Sequence, residues 1–201
     1  LKIVGVSKIN ETTYKIMFDR IEAGTYLVAA AVTEGNLIIK NIIPSIIQTE
    51  IDTLKKIGVK INIKKGDIHI IGNKKINNIN IKTAPYPGFP TDMQAPFTVI
   101  NALARGTSVI EETIFENRLM HVPELRRMGA NISVKDNIAR IDGRADLFGA
   151  EVTASDLRAS AALIIAGLAA RGETIISGLE HVERGYEDIQ DKFKRLGAEI
   201  T

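Results

Sequence analysis

An internal repeat is the sequence feature that most constrains the fold of this chain. An apolar stretch compatible with a helix and ending in glycine occurs three times, at residues 26–35, 97–106 and 163–172. Glycine is favoured at a helix C-terminus because it adopts the left-handed conformation without strain. The repeat therefore predicts three similar helices that end at Gly35, Gly106 and Gly172.

A second helix with a shared ending follows in each copy, and its last residues are two basic side chains, an apolar one and a glycine: Gly58, Gly129 or Gly197. Strands are predicted after the first helices at 37–40, 108–111 and 174–177, and after the second at 59–63, 130–134 and from 198 onward. With one strand before each first helix, the unit is βαβαββ, and the copies span about residues 7–72, 79–142 and 148–201. The third copy lacks its last strand, which residues 2–6 could supply.

The repeat predicts an α/β (α+β) fold that is a single domain over residues 1–201. Three such units around a common axis place helices inside and sheets outside, an inside-out α/β barrel, and the Ala-rich first helices fit a crowded centre. The alternative is an ordinary α/β domain with accidental internal similarity.

Composition excludes several classes of function. The formal net charge of +2 is too small to indicate a nucleic-acid partner, and no apolar run is long enough to predict a membrane span. The chain has no cysteine, and its three histidines show no ligand spacing, so we expect no metal site. Because the first residue is Leu1, we expect the chain to be part of a longer protein.

Three aspartates lie where the first helices are predicted to begin: Asp19, Asp92 and Asp156. The plain interpretation is helix N-capping, in which the carboxylate accepts hydrogen bonds from free backbone N–H groups. The loop before Asp92, at residues 83–90, contains three prolines. Such a stiff loop either places Asp92 for proton transfer or is only a rigid connector.

Four arginines are predicted to gather at one end of the repeats. Arg118 and Arg184 each lie twelve residues after a repeat glycine, before a second helix, and Arg20 and Arg158 begin first helices. Positive charge is disfavoured at a helix N-terminus, so helix stability does not explain this pattern. It indicates an anionic ligand with phosphate or carboxylate groups, beside which Asp92 would stay ionised.

Five segments resemble signatures of the UDP-N-acetylglucosamine 1-carboxyvinyltransferases, a family of enolpyruvyl transferases. They are DRIEAGT (19–25), YPGFPTDMQA (86–95), FENRLMHVPEL (115–125), ASDLRASAA (154–162) and RGYE (184–187). The resemblance implies a bacterial, cytoplasmic enzyme of two similar domains, each of three βαβαββ units. It implies transfer of enolpyruvyl from phosphoenolpyruvate to the 3-hydroxyl of UDP-N-acetylglucosamine with release of phosphate, without a cofactor, as the first committed step of peptidoglycan synthesis.

The resemblance also implies site residues. Asp92 would be the base facing the sugar hydroxyl, Arg118 and Arg158 would hold phosphoenolpyruvate, and Arg184 would help to bind phosphate. Ile114 would contact the sugar through its backbone, and Arg20 and Asp156 would line the cleft. The family's acid loop and most of the nucleotide site belong to the other domain, so we expect the isolated chain to be inactive.

Two alternatives remain open from the sequence. One is a related enolpyruvyl transferase with another acceptor, and the other is a non-catalytic binding module that kept the fold.

Overall fold

The computed structural model describes residues 1–143 and 146–201, which form six α-helices and nine strands. The helices are α1 Arg20–Val32, α2 Gln48–Lys56, α3 Gln94–Leu103, α4 Val122–Arg127, α5 Leu157–Ala169 and α6 Ile189–Arg195. The strands are β1 Asn36–Ile39, β2 Lys60–Lys64, β3 Asp67–Ile71, β4 Ile81–Lys82, β5 Gly106–Glu111, β6 Asn131–Lys135, β7 Ile138–Gly143, β8 Glu151–Thr153 and β9 Ile175–Ser177. Short 3₁₀ turns lie at Pro44–Ile47, Thr91–Met93 and Leu179–Arg184.

The strands form three separate sheets. The first has the order β1-β3-β2 with antiparallel pairs. The second has the order β4-β5-β7-β6, in which β4 and β5 are parallel and the other pairs are antiparallel. The third is the parallel pair β8-β9. In the second and third sheets, a strand before a helix pairs in parallel with the strand after it, so the helix crosses over one face.

Helices α1, α3 and α5 contact one another, and α1 and α3 also contact strands of the first and second sheets. Their apolar side chains form much of the core, and Leu27, Phe97 and Leu163 are fully buried. Small side chains permit this close approach, since Ala161 and Ala162 of α5 are also inaccessible to solvent. The mixed α/β class predicted from the sequence is confirmed.

Two strands expected from the sequence do not form. Residues 2–6 are exposed and belong to no strand, and no strand lies in residues 198–201. The strand expected before the first helix is also absent: α1 is the first helix or strand in the described residues. An apolar pattern becomes a strand only where a neighbouring strand accepts its backbone hydrogen bonds, and these segments have no such neighbour.

Each first helix ends three residues before its predicted glycine, so the prediction of a glycine at the helix end is wrong. The reason in α3 and α5 is that they are capped by Ala104 and Ala170 in an extended conformation. Only the left-handed backbone is right, and only at Gly106 and Gly172. Gly106 and Gly172 have φ of 105° and 89°. Gly35 does not have a positive φ; instead Glu34 is left-handed, with φ of 57°, and the N–H of Gly35 donates to the carbonyl of Ala30. The left-handed position predicted at Gly35 is therefore wrong by one residue, because it falls at Glu34.

Candidate active site

Asp92 lies in the 3₁₀ turn Thr91–Met93 that leads into α3. It does not cap the helix: the residue before the turn is Pro90, and no side chain caps the turn. The capping interpretation is therefore wrong for Asp92. The physical reason is that its carboxylate faces two arginines from other parts of the chain rather than the backbone of α3.

Arg118 and Arg158 meet at the two oxygens of this carboxylate. Arg158 Nη2 lies 3.0 Å from Asp92 Oδ2, and Arg118 Nη2 contacts Asp92 Oδ1. The three side chains keep between 20% and 30% of their surface exposed, so solvent or a ligand reaches them. A guanidinium has five N–H donors, and only one nitrogen of each arginine contacts Asp92, so the remaining donors can bind a second anion.

The charge of the two arginines keeps Asp92 ionised. Burial alone would raise the pKa of this carboxyl, but the hydrogen bond and charge of Arg158 and the charge of Arg118 outweigh burial, so the pKa lies below its usual range. A carboxylate of this kind remains able to accept a proton at neutral pH, although its low pKa makes it a weak base in the resting site.

Asp156 and Asp19 are helix caps, as the capping interpretation predicts. Asp156 Oδ1 accepts from the backbone N–H of Arg158 at 2.8 Å and of Ala159 at 3.0 Å. Asp19 Oδ1 accepts from Ile21 at 2.7 Å in the same way. The cap at Asp156 fixes the first turn of α5 and, with it, the backbone from which Arg158 reaches Asp92.

Arg20 does not contact Asp92. Its Nη1 lies 3.5 Å from Oε1 of the buried Glu50, and its guanidinium lies 5.8 Å from the ring centre of Tyr86. Burial raises the pKa of Glu50, and the charge of Arg20 opposes this shift. Tyr86 belongs to the proline-containing loop before Asp92, so Arg20 supports that loop from α1.

Arg184 and Ile114 are separate from the three-residue cluster. Arg184 ends the 3₁₀ turn Leu179–Arg184, which packs against α5, and its side chain is exposed. Ile114 follows β5, and its backbone N–H donates to Glu112 Oε1 at 2.8 Å. Since that N–H is already bonded, a backbone contact from Ile114 to a ligand would use its carbonyl.

Two residues next to the cluster, Tyr186 and Glu112, were missed by reasoning from the sequence. Tyr186 is buried and its hydroxyl lies 2.8 Å from Thr25 Oγ1; since Thr25 donates to the carbonyl of Ile21, the tyrosine is the donor. Burial raises the pKa of Tyr186, and the nearby positive charge of Arg158 opposes this shift. Glu112 is buried and accepts from Thr91. Tyr186 lies in the RGYE segment, but nothing local in the sequence marks Glu112.

His121 is buried between charged neighbours of the cluster. It is 2% exposed, and its Nε2 has no hydrogen-bond partner. Burial lowers the pKa of His121 to about 4, and the charge of Asp156 opposes this shift while that of Arg118 adds to it. The imidazole is therefore neutral at neutral pH.

Residues 1–143 and 146–201 contain neither a group of three or more His, Cys, Asp or Glu side chains placed to hold a metal ion nor a helix long and apolar enough to cross a membrane. The polar side chains gathered around Asp92 offer charge, hydrogen bonds and proton transfer.

A profile of the family described as EPSP synthase (3-phosphoshikimate 1-carboxyvinyltransferase) matches residues 1–193. The chain belongs to the EPSP synthase family. Within this family, the UDP-N-acetylglucosamine 1-carboxyvinyltransferase of Pelagibacter ubique is 57% identical over 200 residues, which are 100% of this chain and 48% of that relative. The membership predicted from the motifs is therefore confirmed, and the chain spans about half the length of the curated relatives it matches.

Solved structures of enolpyruvyl transferases share the fold of this EPSP synthase-family chain. NikO from Streptomyces tendae matches with a TM-score of 0.83 at 28% identity, over 92% of this chain and 44% of that chain. An EPSP synthase from Acinetobacter baumannii matches with a TM-score of 0.64 at 19% identity, over 87% and 44% of the two chains. At that lower identity, the second likeness shows the fold alone.

Proposed function

We propose that this chain is half of an enzyme that transfers enolpyruvyl from phosphoenolpyruvate to the 3-hydroxyl of UDP-N-acetylglucosamine and releases phosphate. We also propose that this reaction is the first committed step of peptidoglycan synthesis and that it takes place in the bacterial cytoplasm. The observation that carries it is the cluster of Asp92, Arg118 and Arg158. Relatives that are named for this activity support the proposal, because they match the whole of this chain at 50–57% identity.

Phosphoenolpyruvate suits the two arginines because it carries a carboxylate and a phosphate. Each group can be gripped bidentately by a guanidinium, and Arg118 and Arg158 already face one carboxylate from two directions. The charge that develops on the phosphate as it leaves would be stabilised by the same guanidinium groups.

Asp92 is proposed as the base. As the sugar oxygen bonds to C2 of phosphoenolpyruvate, the hydroxyl proton passes to Asp92 and an acid outside this chain protonates C3. In the second step, the C3 proton returns to the group outside this chain that supplied one, the C2–O bond to phosphate breaks, and phosphate leaves with the bonding electrons. Asp92 then releases its proton to solvent. When phosphoenolpyruvate draws the arginines from Asp92, the pKa of Asp92 rises toward its usual range, which makes it a better base.

The remaining predicted residues have supporting roles in this proposal. Arg184 would bind phosphate from its exposed position, and Ile114 would accept from the sugar nucleotide through its carbonyl. Arg20 would order the loop that carries Tyr86, and Asp156 would hold the first turn of α5.

We propose that the catalytic acid and most of the nucleotide site belong to a second domain. The length of the relatives, of which this chain spans 48%, supports this part of the proposal. We also propose that residues 1–201 form one domain of three related units, arranged as an inside-out α/β barrel. The mutual packing of α1, α3 and α5 supports that arrangement.

A second candidate is transfer of the same enolpyruvyl group to 3-phosphoshikimate. The description of the matching family, which names that acceptor, favours it. Sequence identity opposes this candidate. Relatives named for the sugar nucleotide are at least 50% identical to this chain, whereas two EPSP synthase structures from Acinetobacter baumannii are 18–19% identical.

The test measures phosphate release from phosphoenolpyruvate by the full-length protein that carries this chain, with either acceptor. Asp92→Asn is expected to lower kcat by about 100-fold or more, because it removes the base. Arg118→Ala is expected to lower kcat/KM by a similar factor, because it removes a charged donor. Release with 3-phosphoshikimate alone would support the second candidate, and release with neither acceptor would reject both.

Matched controls separate the site from general effects of charge. Asp191→Asn on α6 and Arg140→Ala on β7 make the same changes at exposed positions and should leave turnover unchanged. The 201-residue chain alone is expected to release no phosphate, because the acid is proposed to lie elsewhere. Turnover by the isolated chain would disprove that assignment.

A further inference from the structure

Glu112 is a buried carboxylate that follows β5 directly and is 2% exposed. Its Oε1 accepts from Thr83 Oγ1 at 2.9 Å and from the backbone N–H groups of Ile114 at 2.8 Å and Phe115 at 3.2 Å. Its Oε2 accepts from Thr91 Oγ1 at 2.8 Å. All four donors are neutral. These four hydrogen bonds satisfy both carboxylate oxygens in a buried position, and they tie Glu112 to segments on either side of the proposed cluster.

The hydrogen bonds of Glu112 lead to the proposed catalytic cluster along two paths. One oxygen holds Thr91, whose neighbour is Asp92. The other holds Phe115, whose ring centre lies 4.9 Å from the guanidinium carbon of Arg118. Arg118 in turn contacts Asp92, so the contacts form a closed ring.

We propose that Glu112 is a positioning residue that fixes the turn carrying Asp92 relative to the loop carrying Arg118. The inference rests on the proposed function for its catalytic consequence. Both paths end on one planar carboxylate, so the turn and the loop cannot shift independently while all four hydrogen bonds persist. The backbone around Glu112 is itself held, since its N–H donates to the carbonyl of Asn137.

Thr91 is the link that can be tested without dismantling the core. Glu112→Ala would leave four donors without their acceptor and is expected to disturb folding. Thr91→Val keeps the shape of the side chain and removes one hydroxyl, so it cuts only the path from Glu112 to Asp92. Thr91→Ser restores the hydroxyl.

The experiment measures kcat and KM of the full-length protein with phosphoenolpyruvate and UDP-N-acetylglucosamine. Thr91→Val is expected to lower kcat by about 10- to 100-fold with KM for phosphoenolpyruvate changed less than 3-fold, because a displaced base affects chemistry more than binding. Thr91→Ser is expected to recover most of kcat. The control Thr107→Val removes a hydroxyl that bonds Asp142 near the start of β5 and should leave both constants unchanged.

A second readout does not depend on turnover. The carboxyl of Asp92, titrated by NMR, should have its low pKa in the unmodified protein and in Thr107→Val, and a higher pKa in Thr91→Val because its contact with Arg118 loosens. If neither the unmodified protein nor any variant shows turnover, the proposed function fails, but this titration still tests the positioning role of Glu112. An unchanged pKa of Asp92 in Thr91→Val would overturn the inference, as would equal kcat losses in Thr91→Val and Thr91→Ser.

Discussion

His121 makes the stability of the protein depend on pH through one side chain. Its pKa of about 4 in the folded protein lies below the ordinary value of 6.5, so the unfolded chain binds a proton at a higher pH than the folded one. The stabilisation is complete above pH 6.5 and is lost as the pH falls toward 4. The free energy of unfolding should therefore drop by roughly 2 kcal/mol from this group between pH 7 and pH 5.

Urea unfolding at the two pH values checks this prediction by comparing variants. His121→Gln removes the titrating group, so it should lose less stability on acidification than the unmodified protein. His69→Gln, at a histidine that pairs with Asn36 between β1 and β3, should keep the full loss. The same decrease in His121→Gln and in the unmodified protein would contradict the prediction.

Asp92 illustrates what the sequence could and could not predict about single residues. The same pattern precedes three helices, and capping is right for Asp19 and Asp156 because a cap bonds backbone only two or three residues away. The partners of Asp92 lie 26 and 66 residues away, so no local pattern could identify them. The repeated placement of arginines indicated a site for an anion. It did not show which two arginines would contact Asp92.

The cap of α5 shows how a single element supports the cluster. Asp156→Ala removes the acceptor for two backbone N–H groups and should destabilise the protein by about 1 kcal/mol. Asp156→Asn keeps an acceptor oxygen and should cost less than half as much. Urea denaturation midpoints measure both changes. Ser155→Ala removes an exposed hydroxyl that donates to Oδ2 of Asp156 and leaves both backbone hydrogen bonds to Oδ1 in place, so it should change stability little. An equal loss there would argue against capping.

Helices and strands were predictable to different degrees. The helices follow from apolar spacing, which acts within a few residues, and the three first helices each end three residues before the predicted glycine. Strands depend on a partner that is distant in sequence, so residues 2–6 remain unpaired although most of them are apolar, and residues 198–201 are unpaired as well. The paired strands β8 and β9 show the contrast, since each provides the other's hydrogen bonds.

At the scale of the whole molecule, packing of α1, α3 and α5 brings distant chain segments to one site. Arg158 is in the first turn of α5, the turn with Asp92 leads into α3, and Arg20 begins α1. The Ala-rich composition predicted close helix contacts, because small side chains allow them. Composition could not define how the helices are rotated, which determines that Arg158 reaches Asp92 and that Arg20 reaches Glu50 instead.

The close contact among these helices predicts that a larger side chain in α5 is costly. Ala162 is completely buried in the helix that packs against α1 and α3. Ala162→Leu adds three carbon atoms to a packed interior and should destabilise the protein by about 1–3 kcal/mol. Ala169→Leu makes the same change in the last turn of α5, where the side chain is only partly buried, and should alter stability by less than about 0.5 kcal/mol.

Urea denaturation measures the free energy of unfolding of both variants. The m-value should stay unchanged, which shows that the same surface is exposed on unfolding. Displacement of α5 should also separate Arg158 from Asp92, so the NMR titration of Asp92 should show a higher pKa in Ala162→Leu than in Ala169→Leu. Equal urea midpoints for the two variants would mean that the contact between α5 and its neighbouring helices can hold a larger side chain, which would contradict the prediction. A lower midpoint with an unchanged Asp92 titration would mean that the core loosens without moving the cluster.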